Sequence, residues 1–168
     1  DGVFPFHRDG RYTTGDAALD RRLNELVETY AAPVSGRVEK LRALYEYVRD
    51  NYTHLKQPLV EAEQTGWEPE YATFFLDHGK GNCFNFSATY CLLCRELGED
   101  AVPVVGLLGK RQTPHGWVLM QLDGVPYMFD PQLEWRYLHD YKRTGYDLFM
   151  VRPDEAVFDY VWQSVQPE

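Results

Sequence analysis

Cys83, His115 and Asp130 are the residue types of a nucleophile, a base and an orienting carboxylate, and they occur in that order along a chain of 168 residues. Cys83 follows Gly79-Lys-Gly-Asn82 and opens a run with helical spacing that reaches Leu97 and a terminal Gly98. Glycine and asparagine tolerate tight or left-handed backbone, and a glycine just past a periodic segment stops a helix. The thiol is therefore expected at a helix N-terminus. Unpaired N–H groups and the positive end of the macrodipole favour an anion there, and the thiolate is the nucleophilic form. An isolated cysteine is by default a small buried hydrophobe; the downstream residues argue for more.

Asp123-Gly124 lies between two extended runs, His115 to Leu122 and Val125 to Pro131, and has the composition of a two-residue type I′ hairpin loop. Leu122 then faces Val125, Trp117 faces Asp130 and His115 faces Gln132. The pleat sends His115, Trp117, Leu119, Met128, Asp130 and Gln132 to one face. Asp130 becomes the diagonal neighbour of His115, roughly 7–8 Å away between backbones, which an imidazole and a carboxylate can bridge. Such a carboxylate fixes the tautomer and stabilises the imidazolium, which stabilises a nearby thiolate. Taken singly, Asp130-Pro131 ends a strand and His115 is a partly buried histidine satisfied by backbone. Together with a helix-capping cysteine they supply nucleophile, base and orienter in that order. Spacing alone does not bring Cys83 to that face.

The elements that must hold these residues can be read in outline. Residues 1–15, with Gly2, Pro5, Gly10 and Gly15, read as an irregular arm. Asp16 caps a helix with Leu19, Leu23, Leu26, Val27 and Tyr30 on one face, ended by Ala31-Ala-Pro33. Ser35 is expected to cap a second, along Val38, Leu41, Leu44, Tyr45, Val48 and Tyr52. Asn51 to Gly66 reads as a long loop. Trp67 and Glu68-Pro69 start a short third helix that stops at Gly79. Ala101 to Leu108 is a strand ahead of the hairpin. Beyond it, Glu134 to Thr144 carries no assignment, Tyr146 to Val151 is a possible further strand, and Val157 to Val165 is apolar but short. No repeat or linker interrupts residues 1–168, which read as one domain.

The formal net charge of −9 and pI near 5.0 argue against nonspecific nucleic-acid or anionic-membrane binding. By the same whole-chain field a peptide substrate is expected to be basic or neutral. No run of 18 apolar residues occurs for membrane insertion, and the N-terminus, which lacks a Met, has no signal-peptide pattern. Three cysteines cannot all pair. Cys91 and Cys94 have C-x-x-C spacing but fall mid-helix on the core stripe, so they read as packing residues rather than a redox pair or metal ligands.

Four phrases carry a resemblance: Gly81-Asn-Cys83 with its helix, Leu97-Gly98-Glu-Asp-Ala-Val-Pro-Val-Val-Gly106, His115-Gly-Trp-Val118, and Tyr127-Met-Phe-Asp130-Pro131. Between about Trp67 and Trp135 the chain resembles the transglutaminase-like branch of the papain-like cysteine enzymes, and most of all its small bacterial stand-alone members, often parts of exported or surface proteins. The resemblance implies an α+β fold, with N-terminal helices and a central helix bearing Cys83 packed on an antiparallel sheet bearing His115 and Asp130 as a catalytic triad. It implies attack by Cys83 on an amide of a protein or peptide substrate, the acyl-enzyme then passing to water or to an amine. In the superfamily an aromatic upstream of the cysteine helps hold the oxyanion. Trp67 resembles that position, with Tyr71 as a substitute, and Trp117 and Gln132 are further cleft candidates. With no acidic calcium loop and no zinc-spaced His/Cys cluster, no metal or other cofactor is expected. Two rivals share the resemblance: a binding module that keeps the fold without the chemistry, and a peptide N-glycanase-like amidase, for which the flanking zinc-binding cysteines of the eukaryotic form are absent. Compartment and oligomeric state are left open.

Overall fold

The computed structural model describes residues 12–142 and 147–165. Most of the expected irregular arm, residues 1–11, lies outside the described residues. Helix α1, Ala17–Tyr30, starts on Asp16, whose carboxylate accepts from the backbone N–H groups of Ala18 and Leu19. Helix α2, Arg37–Asn51, is not capped by Ser35 as expected. Gly36 takes the cap at φ +97°, where a side chain would be strained and would also run into Glu39. Helix α3, Glu68–His78, carries Pro69 in its first turn and stops on Gly79 in the left-handed conformation.

Helix α4, Cys83–Glu96, is the hub, buried all round from Cys83 to Arg95. A helix so enclosed needs partners on every side. Helices α1, α2 and α3 pack on it from one side and a sheet from the other. Tyr90, fully buried, donates from its hydroxyl to the carbonyl of Leu41, joining α4 to α2.

The sheet is antiparallel with strand order β5-β4-β3-β6, where β3 is Ala101–Leu108, β4 Thr113–Leu122, β5 Val125–Phe129 and β6 Tyr160–Val165. The hairpin register is the expected one, with Leu122 opposite Val125 and Val118 opposite Phe129. Both loop residues, Asp123 and Gly124, have positive φ, as a type I′ turn requires. Val118, Met120 and Phe129 face α4, whereas Trp117, Leu119 and Met128 face away with Val102 and Val104 under Trp162.

Three features depart from the sequence reading. The loop 51–66 contains β1, Thr53–His54, which pairs in parallel with β2, Lys80–Gly81. The hairpin does not run on to Gln132: after Phe129 the chain turns into helix α5, Pro131–His139, with Asp130 as N-cap. Gln132 is thus a helical residue and does not face His115 across a ladder. Val157 to Val165 supplies the edge strand β6, while from 147 to 151 only Val151 makes a bridge, to Met128. Helix α5 is tied to α2 through buried Glu134, which accepts from the Tyr45 hydroxyl at 2.6 Å and pairs with Arg49.

Candidate active site

The head of α4 is built by Asn82. Its side-chain oxygen accepts from the N–H groups of Phe84 (3.0 Å) and Asn85 (3.3 Å), while the Asn85 oxygen accepts from the Asn82 N–H at 2.9 Å. This reciprocal box satisfies donors that a helix start leaves unpaired. Asn82 also donates to the carbonyl of Gln57, which ties the 55–66 loop to the helix head. Cys83 is the first helical residue, so its own N–H has no acceptor within the helix.

His115 sits near the start of β4, opposite Gly106. Its Nε2 donates to Asp130 Oδ2 at 2.6 Å, both groups being buried. Cys83 lies close enough to act on the imidazole by charge and by hydrogen bond; with Nε2 engaged by Asp130, Nδ1 is the ring nitrogen left to serve the thiol. Burial alone would pull the His115 pKa down. The Asp130 carboxylate and Cys83, by charge and by hydrogen bond, outweigh it and raise the value to about 10. The ring is therefore held as imidazolium through the neutral range.

Asp130 is fully buried and uses both oxygens. Oδ1 accepts from the Leu133 N–H at 3.1 Å and so caps α5, while Oδ2 accepts from His115 and from the Tyr160 hydroxyl at 2.7 Å. Tyr160 was not legible as a site residue. Burial first, and Asp130 next, push its phenol well above the ordinary value, so it stays a donor. Its ring lies edge-on to Trp117 at 4.8 Å, and this contact places it. The sequence signal for it is the alternation of aromatics at Tyr160 and Trp162, within a segment too short for a clear strand pattern.

Helix α4 packs on the face of the sheet opposite Trp117, and its first turn crosses β4 at Gly116. A β-carbon built there would lie 2.6 Å from Phe84 Cδ1 and 2.8 Å from Cε1. Phe84 is fully enclosed and has nowhere to move. Absence of a side chain at Gly116 thus sets how closely Cys83 approaches His115. Gly116→Ala is expected to cost about 1–3 kcal/mol by overpacking. Because it displaces the helix head, it should also slow about 100-fold any acylation that Cys83 undergoes. Paired measurements of thermal melting and of acylation rate check this: melting lowered with the rate unchanged would show that the spacing is not set here.

Cys83 and His115 open onto a cleft of about 590 Å³. Gln132 lines it, from α5 rather than from a strand. Trp67, Tyr71 and Trp117 are not among its lining residues. Trp67 packs at the base of α3, edge-on to Tyr71 at 5.4 Å and to Phe84 at 5.9 Å. The Tyr71 hydroxyl donates to the Pro58 carbonyl, and Trp117 is buried behind Tyr160 and Trp162. Cys91 and Cys94 are free and fully buried. Burial raises the Cys91 thiol to about 12 and the Cys94 thiol well above its ordinary value.

Residues 24–167 match the family model of the transglutaminase-like superfamily. The chain belongs to that superfamily. The matched span runs from α1 to β6 and so includes Tyr160 as well as Cys83, His115 and Asp130. Among solved structures, one from Cytophaga hutchinsonii described as a "Putative Cysteine Protease" is similar over 89% of this chain and 43% of its own, at 14% identity and a TM-score of 0.59. A structure described as a TGase is similar over 68% of this chain and 31% of its own, at 22% identity and a TM-score of 0.52. This chain therefore spans less than half the length of either. At these identities the likeness is one of fold, an α+β transglutaminase-like fold. No curated protein matches the chain.

Proposed function

We propose that this transglutaminase-like chain transfers acyl groups from an amide of a protein or peptide substrate through an acyl-enzyme on Cys83. The observation that carries the reading is the His115 ring held between Cys83 and the Asp130 carboxylate, with Nε2 and Oδ2 2.6 Å apart. The Cys83 thiolate attacks the carbonyl carbon, and the oxyanion that forms meets the Cys83 N–H at the helix head. The His115 imidazolium gives its Nδ1 proton to the leaving amine as the C–N bond breaks. His115, now neutral, takes a proton from the second nucleophile, which cleaves the thioester and restores the thiolate. Water in that role gives hydrolysis, and a primary amine gives cross-linking.

The test is to mix the protein with a panel of glutamine peptides and peptide thioesters, quench in acid and read the intact mass, then map the adduct. An acyl mass on the Cys83 peptide, absent in Cys83→Ala, is the expected result. Adding a primary amine divides the product between acid and amide and so identifies the second nucleophile. Turnover that survives in Cys83→Ala would exclude this mechanism.

A further inference from the structure

The chain has 26 acidic and 17 basic residues, yet the described residues that line the cleft beside Cys83 include no aspartate or glutamate. They include four lysine and arginine side chains, Lys56, Lys110, Arg111 and Arg136. These come from three separate places: the loop after β1, the β3–β4 turn and helix α5. Lys110 and Arg111 sit at the tip of the turn, where Gln112 N–H donates to the Gly109 carbonyl at 3.0 Å and Gly109 has φ +77°. That turn has a defined backbone and presents both cations to solvent. Among the described residues Lys56, Lys110 and Arg111 make no ion pair, and Arg136 reaches Asp140 only at 3.9 Å, one helical turn on. An exposed pair of that kind is weak.

We propose that the cleft recognises an acidic polypeptide, in which aspartate or glutamate residues flanking the reacting amide meet Lys56, Lys110, Arg111 and Arg136. The inference rests on the reading of this cleft as the acyl-donor site. The net charge of −9 points the other way only for a distant observer. At about 0.1 M salt the field of an exposed charge fades over roughly 10 Å, so a ligand in the cleft feels the cations around it. Leu59, Leu133 and Tyr137 add apolar surface to the same lining, which suits a peptide with apolar residues among its acidic ones. A nucleic acid fits less well, since its close-spaced phosphates would outnumber these four side chains on a chain whose net charge is −9.

The experiment uses fluorescein-labelled peptides of one sequence in acidic, neutral (Gln for Glu) and basic (Lys for Glu) forms. Binding to Cys83→Ala protein is followed by anisotropy at 50 and 300 mM NaCl, and turnover by wild type is followed in parallel. The acidic form is expected to bind at least 10-fold more tightly than the neutral one at low salt. The gap should narrow at high salt and mostly vanish in Lys110→Glu/Arg111→Glu protein with unchanged melting. Equal binding of the three forms, a neutral or basic preference, a gap that ignores the double variant, or tighter binding of a single-stranded oligonucleotide overturns the proposal. The two readings fail separately. Wild type that modifies no peptide while Cys83→Ala still selects the acidic one removes the acyl-transfer reading alone, whereas turnover without charge preference removes this one alone.

Discussion

His115→Ala is expected to yield a folded protein whose acyl transfer from a peptide amide is slower by about 10³- to 10⁴-fold. Two losses combine. The attacking sulfur loses the cation that stood beside it, and no acid remains to protonate the leaving amine. They can be separated by substrate and pH. An activated aryl ester leaves without a proton, so its acylation should recover in the variant as the pH is raised and the thiol ionises unaided. Amide acylation should not recover. The wild type carries the matching signature: the imidazolium loses its proton as pH rises through about 10, so amide turnover should fall on that side while aryl ester acylation persists. Equal losses on amide and aryl ester at every pH would mean that His115 does not act as the acid.

Asp130→Ala is the substitution expected to cost most stability, about 3–5 kcal/mol. The carboxylate is wholly buried and meets three donors, the His115 ring, the Tyr160 hydroxyl and the Leu133 N–H that begins α5. Its removal leaves a buried cation and two donors without their acceptor, and takes the cap from α5. Asp130→Asn is milder for the fold, but its single oxygen cannot serve both positions. Placed toward Leu133 it keeps the cap and turns an amide N–H on His115 Nε2, which selects the tautomer that cannot accept the thiol proton. Placed toward His115 it faces an N–H with the Leu133 N–H. In the first case activity should fall about 10³-fold with modest loss of stability. Denaturant unfolding of the three proteins with parallel acylation rates tests this, and an Asp130→Ala protein as stable as wild type would contradict it.

The parts of the site that were legible in the sequence are those fixed by local rules. Asp123-Gly124 determined a turn, the turn determined a register, and the register put His115 near Asp130. Asn82 and the glycines beside it marked the start of α4. What stayed hidden depends on contacts between distant segments. That Cys83 reaches His115 follows from Phe84 lying against Gly116, a glycine whose neighbour no spacing rule names. Tyr160 reaches Asp130 from an edge strand thirty residues on, half-buried and too short for a clear pattern. Helix α5 was missed for another reason: Asp-Pro after an apolar run fits a strand end as well as a cap followed by a first-turn proline. The two-residue strands β1 and β2 lie below any periodic signal. Trp67 follows from resemblance rather than local rule, and its ring packs against α4 instead of lining the cleft.

The most direct test of the central claim, that Cys83, His115 and Asp130 act as one unit, is the iodoacetamide alkylation rate of Cys83 against pH in wild type, His115→Ala and Asp130→Asn. Peptide mapping is preferable to cysteine-free backgrounds, since Cys91 and Cys94 are core residues whose truncation would leave cavities. A free thiol ionises near pH 8.5, so between pH 9.5 and pH 6 its alkylation falls about 300-fold. The wild-type rate is expected to fall only a few-fold over that interval, His115→Ala to follow the free thiol, and Asp130→Asn to lie between them. Three superimposable profiles, all following the free thiol, would contradict the account and leave a transglutaminase-like fold that binds without reacting.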